Sequence, residues 1–202
     1  MSLRNIFFDL WYRLGKPDWD IDQPQPDLIA AASGRVIRGP TVLDVGCGKG
    51  DNAIYLAERG FKVTGVDVSK AAIVFAKRKA LAAGLDVEFM ALDAFQLGKL
   101  GRRFDTVIDY GLFHQFDGEE RSRYVNSLRD VCKHGGLLLL QCFSDQGGRA
   151  EWFGPRLISQ DAIRVSFASE FQIEWIRPAT YKTNGNKLYP AWLALMTCGS
   201  AS

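Results

Sequence analysis

Apolar runs of strand length alternate with amphipathic segments of helix length along most of the chain. Short apolar runs between helices are typical of strands buried on both faces, so the pattern predicts a parallel sheet covered by helices. Five strands are predicted in this region, at 41–45, 62–67, 87–92, 104–110 and 137–143. Two later runs, 171–180 and 188–198, are joined around Asn184-Gly185 and predict an antiparallel hairpin.

The segments between these runs carry the residues that begin and end helices. Helices are predicted at 28–33, 52–59, 69–83, 117–133 and 160–168. Ser69 is suited to an N-cap, and Gly84 is suited to a helix end in the left-handed conformation. Asp117 with Glu120 forms the pattern of a capping box, and the sequence predicts a turn at 134–136 before the next strand.

Length and composition favour one globular domain. The chain has 202 residues, 47% of them hydrophobic, which is enough for one substantial core. Twenty-five basic residues nearly balance 23 acidic ones, and no long basic block is present, so nucleic acid is not favoured as a partner. We expect one domain spanning 1–202, as a monomer or weak homodimer.

Localisation and metal content follow from two further features. The N-terminus lacks the apolar segment of a signal peptide, and no run of eighteen apolar residues follows, so we expect a cytoplasmic protein without a membrane partner. Four cysteines are scattered without a Cys-x-x-Cys pair, and only two histidines are present. We therefore expect no metal site and no disulfide framework.

A glycine-rich turn follows the first predicted strand and indicates a ligand site. Its sequence is Gly46-Cys47-Gly48-Lys49-Gly50, and Asp67 closes the second strand about twenty residues later, where an acid can bind the hydroxyls of a ribose. A dinucleotide site would have glycine where this chain has Asp51, an anion at the place for phosphates. S-adenosylmethionine fits better, because it has a ribose without phosphate and an ammonium group that could bind Asp44.

The motifs "VLDVGCGKG", "VTGVD" and "ALDAF" resemble the successive cofactor loops of class I S-adenosylmethionine-dependent methyltransferases. This resemblance implies an α/β fold with a Rossmann-like, doubly wound, seven-stranded sheet, mostly parallel, with an antiparallel strand from the C-terminal hairpin. It also implies that the glycine turn passes under the methionine part, that the second strand's end binds the ribose and that the third binds the adenine. The implied cofactor residues are Asp44, Gly46, Cys47, Gly48, Gly50, Asp67, Val68, Asp93 and Ala94.

Two further resemblances concern the lid and the acceptor. The stretch "WYRLGKPDWDIDQPQP" is similar to the N-terminal segment of thiopurine, thiol/halide and tellurite-resistance-type methyltransferases, which implies a lid over 1–35, with Trp11 and Trp19 on the cofactor, and a Rossmann-like core over 36–202. The stretches "DYGLFHQF", "FSD" and "GPRLISQ" resemble bacterial enzymes that methylate heterocyclic hydroxyl or thiol compounds, including hydroxyquinolone methyltransferases.

The loop after the fourth strand carries the candidate catalytic residues. Methyl transfer mainly requires correct positioning, but a hydroxyl or thiol acceptor must also lose a proton. His114 is the candidate base, because an unperturbed histidine titrates near pH 6.5. Asp109 is expected either to orient His114 or to bind the cofactor's ammonium group. The loop lacks the Asn/Asp-Pro-Pro-Tyr signature, which argues against a DNA, RNA or protein amide acceptor.

Aromatic residues outside the predicted strands are expected to converge into an acceptor pocket, because aromatic walls suit a flat, apolar ligand. The expected pocket residues are Tyr12, Phe113, Phe116 and Trp152, with Phe153 beside them. Arg156 is expected to pair with Asp145 or with a carboxylate of the acceptor.

The sequence thus predicts methyl transfer from S-adenosylmethionine to a thiol or hydroxyl of a small, aromatic or heterocyclic molecule. Two alternatives remain open at this stage. One is an NAD-dependent reductase on a similar sheet, and the other is a non-catalytic protein that binds S-adenosylmethionine.

Overall fold

The computed structural model of this protein describes residues 3–147 and 156–199. The helices are α1 (Leu3–Leu14), α2 (Pro26–Ser33), α3 (Asp51–Ala57), α4 (Lys70–Ala82), α5 (Gly118–Val131) and α6 (Gln160–Phe167). The strands are β1 (Thr41–Val45), β2 (Lys62–Asp67), β3 (Glu88–Ala91), β4 (Phe104–Tyr110), β5 (Cys132–Phe143), β6 (Phe171–Lys182) and β7 (Leu188–Cys198).

All seven strands form one sheet, in the order β3-β2-β1-β4-β5-β7-β6. The first five strands pair in parallel, whereas β7 is antiparallel to both β5 and β6. The strand order reverses between β1 and β4, which is where open α/β sheets bind ligands at the carboxyl ends of their strands. The predicted doubly wound α/β fold with an antiparallel hairpin is confirmed.

Helices cover both faces of the sheet, because the strand residues alternate between two apolar clusters. On one face, Val107 of β4 packs in a cluster with Leu128 of α5 and Phe167 of α6. On the other face, Ile108 packs in a cluster with residues of α2, α3 and α4. Both faces of the parallel strands are therefore buried, as the near-continuous apolar runs predict.

The start of β5 differs from the prediction. The strand begins at Cys132, but its register with β4 shifts, so that 133–136 form a bulge before regular pairing resumes at Leu137. Gly135 lies in this bulge in the left-handed conformation, with φ of +70°. The predicted turn is thus a bulge inside the strand, and α5 ends at Val131 instead of at 133.

Local helix signals in the sequence are confirmed. Asp117 Oδ1 accepts a hydrogen bond from the Glu120 amide at 3.0 Å, and the Glu120 carboxylate accepts one from the Asp117 amide at 3.2 Å. Ser69 caps α4 by accepting from the Ala72 amide at 3.1 Å. The helix α1, which was not predicted, lies in the proposed lid segment.

Within 3–147 and 156–199, none of the helices has the length and apolar character that crossing a bilayer requires.

Candidate active site

The glycine turn lies at the carboxyl end of β1, beside the point where strand order reverses. Gly46, Gly48 and Gly50 adopt φ values of +73°, +52° and +81°, which few other residues tolerate. A Cβ at Gly48 would lie 2.6 Å from Tyr12 Oη, whereas a Cβ at Gly50 would lie 2.6 Å from the ring of Phe89. Gly48 therefore permits a close approach from α1, and Gly50 permits packing of α3 against the core.

Four of the five backbone N–H groups of this turn already donate hydrogen bonds within the protein. Gly46 and Cys47 both donate to the Val66 carbonyl, at 2.8 Å and 3.0 Å, and Gly50 donates to the Cys47 carbonyl at 2.8 Å. Gly48 donates to Asp67 Oδ2 at 2.9 Å. A pyrophosphate site needs such N–H groups to point at the ligand, so the turn does not suit a dinucleotide.

Asp67, at the end of β2, connects the turn to the next helix. Its second oxygen accepts a hydrogen bond from the Ser69 amide at 2.8 Å, and burial raises the pKa of this carboxyl. Val68 follows it and is half-buried. Asp67 pairs with Ala91 at the end of β3, so the adjacent Asp93 and Ala94 start from the same edge of the sheet. The residues implied for ribose and adenine therefore lie along one edge.

Asp44 of β1 is buried and offers an unused acceptor. Burial, together with the neighbouring carboxylates of Asp109 and Asp67, raises the pKa of Asp44 to about 8. Among the described residues, none forms a hydrogen bond with Asp44 Oδ2. A buried carboxylate oxygen without a partner fits a ligand that carries an ammonium group. The residues present therefore fit the amino-acid tail of S-adenosylmethionine.

Asp109 of β4 holds the segment that carries His114. Its carboxylate accepts hydrogen bonds from the amides of Leu112 and Phe113, at 2.7 Å and 3.0 Å, and from the Tyr124 hydroxyl at 2.9 Å. Burial raises the pKa of Asp109 to about 7. Of the two expected roles, these contacts favour positioning, which acts through the backbone of the turn at Phe113–Gln115.

His114 does not have the titration behaviour expected of it. The imidazole is buried, its ring centre lies 4.6 Å from that of Phe143, and its Nδ1 is 3.4 Å from the Phe143 amide, which donates to it. Burial lowers the pKa of His114 to about 3. Burial thus moves the pKa away from the unperturbed value near 6.5 on which the choice of His114 as base rested, and it favours a neutral imidazole at physiological pH.

The segment 15–25, hereafter the strap, and α1 cover the glycine turn. Trp19 Nε1 donates to Tyr12 Oη at 2.8 Å, and the rings of Trp11 and Trp19 lie 4.8 Å apart. Asp9 accepts hydrogen bonds from the Ala71 amide and the Ser69 hydroxyl, each at 2.9 Å, which docks α1 on the start of α4. Both predicted tryptophans thus meet near the turn.

Ion pairs fasten the strap to the core. Asp22 of the strap and Asp51 of α3 both contact Lys79 of α4, at 3.0 Å and 2.9 Å, and Lys49 of the glycine turn contacts Asp20 at 2.5 Å. The carboxylate oxygens of the three aspartates lie within 4.8 Å of one another. These lysines offset the charge of the acidic cluster, and the pairs fix the strap above the turn.

A cavity of about 60 Å³ separates the strap from the turn. This volume is far below the roughly 300 Å³ of a typical ligand pocket, so the strap lies close to the cofactor site. The lining residues that were not predicted as site residues include Gln25, Asn52, Tyr110 and Tyr181. Tyr110 Oη is buried and has no hydrogen-bond partner among the described residues. Its place directly after Asp109 at the strand end was the signal that could have identified it.

Phe113 and Phe116 lie in the core and not at a pocket wall. The ring of Phe113 is 5.2 Å from that of Phe167 in α6, and the ring of Phe116 is 4.8 Å from that of Tyr124 in α5. Because helices cover this face, both rings are buried between the helices and the sheet.

Arg156 stabilises the turn at Phe113–Gln115. Its amide donates to the His114 carbonyl at 3.1 Å, and its guanidinium donates to the Gln115 carbonyl at 2.9 Å, instead of to Asp145. Trp152 and Phe153 lie outside the described residues.

Replacing Asp44 by Asn should stabilise the fold increasingly as pH rises. The Asp44 carboxyl binds its proton more tightly in the folded chain, with a pKa of about 8, than in the unfolded chain, with about 4. The contribution of the Asp44 carboxyl to the stability of the fold therefore decreases as the pH rises from the lower of these values to the higher. Asn does not titrate, so its contribution stays constant. We expect Asp44→Asn to gain at least about 1 kcal/mol relative to wild type between pH 4.5 and 7.5.

Urea unfolding at several pH values measures this difference. Asp105→Asn serves as the control, because Lys133 beside Asp105 lowers the pKa of that carboxyl, so its loss should cost more as pH rises. An Asp44→Asn difference that stays constant with pH would contradict the assignment.

The NMR spectrum of His114 should stay that of a neutral imidazole from about pH 5.5 to 8, because burial opposes its charging. Histidine-labelled protein allows the measurement, with the exposed His134 in the same spectrum. Charging of the His114 ring near pH 6.5 would restore it as a titrating base.

Comparison with known proteins agrees with this geometry. Residues 42–136 match the family model described as a methyltransferase domain. The 2-heptyl-1-hydroxyquinolin-4(1H)-one methyltransferase of Mycobacteroides abscessus is 33% identical over 172 residues, which cover 85% of this chain and 75% of that protein.

Solved structures share this fold. One, described as "Conversion of a Disulfide Bond into a Thioacetal Group during Echinomycin Biosynthesis", superposes with a TM-score of 0.89 at 35% identity and covers 98% of this chain and 94% of the other. TehB from Haemophilus influenzae shares the fold, with a TM-score of 0.68 at 17% identity, over 86% of this chain and 61% of that one. This chain belongs to the class I S-adenosylmethionine-dependent methyltransferases.

Proposed function

We propose that this chain transfers the methyl group of S-adenosylmethionine to a sulfur or oxygen atom of a small aromatic or heterocyclic molecule. The observation that carries the proposal is the unpartnered Oδ2 of Asp44, which lies beside a turn in which four of the five backbone N–H groups already donate within the protein. The names of the two similar proteins support the acceptor class. One names a hydroxyquinolone, and the other names a disulfide.

The proposed cofactor residues lie at the ends of three strands, and each strand end would bind a different part of the ligand. Asp44 would bind the ammonium group, Asp67 with Val68 the ribose, and Asp93 with Ala94 the adenine. When bound, S-adenosylmethionine supplies an electrophilic methyl group, and its transfer needs alignment with the acceptor more than covalent help. Asp109 contributes to alignment by fixing the turn that carries His114.

A hydroxyl or thiol acceptor must lose its proton, and this requirement limits which compounds the site can methylate. A neutral imidazole with a pKa of about 3 is a weak base. His114 can still position an acceptor through a hydrogen bond. The proposed acceptors are therefore those that ionise readily themselves, such as acidic heterocyclic hydroxyls and thiols.

The assay for this function incubates the protein with S-adenosylmethionine and a panel of acceptors. The panel contains 1-hydroxyquinolin-4(1H)-one, thiophenol, 1-hexanethiol, flavonoids and iodide, and the readout is S-adenosylhomocysteine formed. We expect turnover with the hydroxyquinolone or the aromatic thiol. Tight binding of S-adenosylhomocysteine without turnover of any compound would favour a non-catalytic binding protein instead.

We further propose that 1–35 act as a lid that retains the cofactor. Trp19→Ala removes the hydrogen bond to Tyr12 and the ring contact with Trp11, so it should weaken S-adenosylhomocysteine binding about 10-fold. Trp175→Ala, which removes another half-buried tryptophan, from β6, is the control. Calorimetric titration measures both, and an unchanged dissociation constant for Trp19→Ala would remove the lid role.

A further inference from the structure

Four ring side chains form a continuous cluster at the carboxyl end of β5. Phe143 lies at its centre, with ring centres 4.6 Å from His114, 4.9 Å from Tyr181 and 5.7 Å from Tyr189. Tyr181 and Tyr189 are direct partners across the β6–β7 pair. We call these four residues the aromatic wall.

The register places the wall on one face of the sheet. Phe143 pairs with Ala191, which is two residues from Tyr189 and therefore on the same side of β7. Strand alternation places Leu188, the neighbour of Tyr189, on the opposite side. The wall is therefore built by register between distant segments and not by a local motif.

Exposure increases along the wall from the inside outwards. His114 and Tyr181 are 3% and 4% exposed, Phe143 is half-buried, and Tyr189 is 42% exposed. The exposed ring of Tyr189, next to buried rings, therefore offers a surface on which a ligand from solvent can stack.

The inner end of the wall reaches the cofactor cavity. Tyr181 lines that cavity, and its hydroxyl donates to the Tyr110 carbonyl at 3.2 Å. The ring lies so close to Gly111 that a Cβ there would be 2.5 Å from Tyr181 Oη. The wall thus leads from the surface to the end of β4, next to the proposed site of methyl transfer.

We propose that the aromatic wall is the acceptor-recognition surface, and that Tyr189 selects planar ring acceptors by stacking against them. This inference rests on the proposed function and specifies which residues recognise the acceptor. The rings match a flat heteroaromatic compound in shape, whereas a flexible alkyl chain gains no stacking geometry from them. Tyr189 acts on binding and takes no part in the chemical step.

The experiment measures binding of 1-hydroxyquinolin-4(1H)-one to the protein saturated with S-adenosylhomocysteine, by calorimetric titration. We expect Tyr189→Ala to weaken this binding about 5-fold and Tyr189→Phe to retain it within about 2-fold, because the ring and not the hydroxyl stacks. Leu188→Ala is the matched control. Leu188 is adjacent, 62% exposed and on the other side of the strand.

Two outcomes would overturn this inference while leaving methyl transfer intact: equal binding by wild type and Tyr189→Ala, or no binding of the hydroxyquinolone by wild type. In the same titration, Tyr189→Ala should also weaken binding of thiophenol and leave binding of 1-hexanethiol unchanged. An equal loss for both thiols would contradict selection by ring stacking. Failure of the protein to bind S-adenosylhomocysteine would instead refute the proposed function itself.

Discussion

The hydrogen bonds that attach the glycine turn to β2 are the constraint on which the site depends. The Val66 carbonyl accepts from two successive amides, and the Asp67 carboxylate accepts from the Gly48 amide. These bonds place the turn at a fixed height above the sheet without any ligand. They also occupy N–H groups that would otherwise attract phosphate. One set of contacts therefore both builds the turn and selects against a pyrophosphate-containing cofactor.

The site also contains two buried acids, one on each face of the sheet. Asp44 faces the α3 side, and Asp109 faces α5 through Tyr124. Burial raises the pKa of each, to about 8 and about 7. Asp109 is compensated by three hydrogen bonds, whereas Asp44 keeps one oxygen without a partner. Such a group lowers the stability of the fold and raises its affinity for a cation, as functional sites often do.

Sequence patterns predicted the sheet well because its signals are local. The bounds of β1, β2 and β4 agree with the predicted ones, since each strand is a short apolar run that ends at a glycine or an acid. The burial of individual side chains was harder to predict from the sequence. The pKa of His114 depends on Phe143 and Tyr181, which arrive from β5 and β6. The sequence near His114 does not indicate these partners. The sequence near Phe113 likewise does not indicate its contact with Phe167.

The strap joins the two halves of the proposed reaction site. At one end, the Gln25 amide donates to Asn52 of α3 at 3.0 Å, beside the glycine turn. The side chain of Gln25 bonds both backbone groups of Lys182, at 2.9 Å and 3.1 Å, next to Tyr181 of the aromatic wall. The Asp18 carbonyl also accepts from the Asn184 amide, in the β6–β7 hairpin, at 2.6 Å. Because the same short segment contacts both the turn and the hairpin, it connects the cofactor cavity to the inner end of the wall, whereas Tyr189 at the outer end stays 42% exposed. The strap therefore shields the cofactor side of the proposed site from water, which favours a methyl transfer governed by alignment, and leaves the outer end of the wall open to an acceptor.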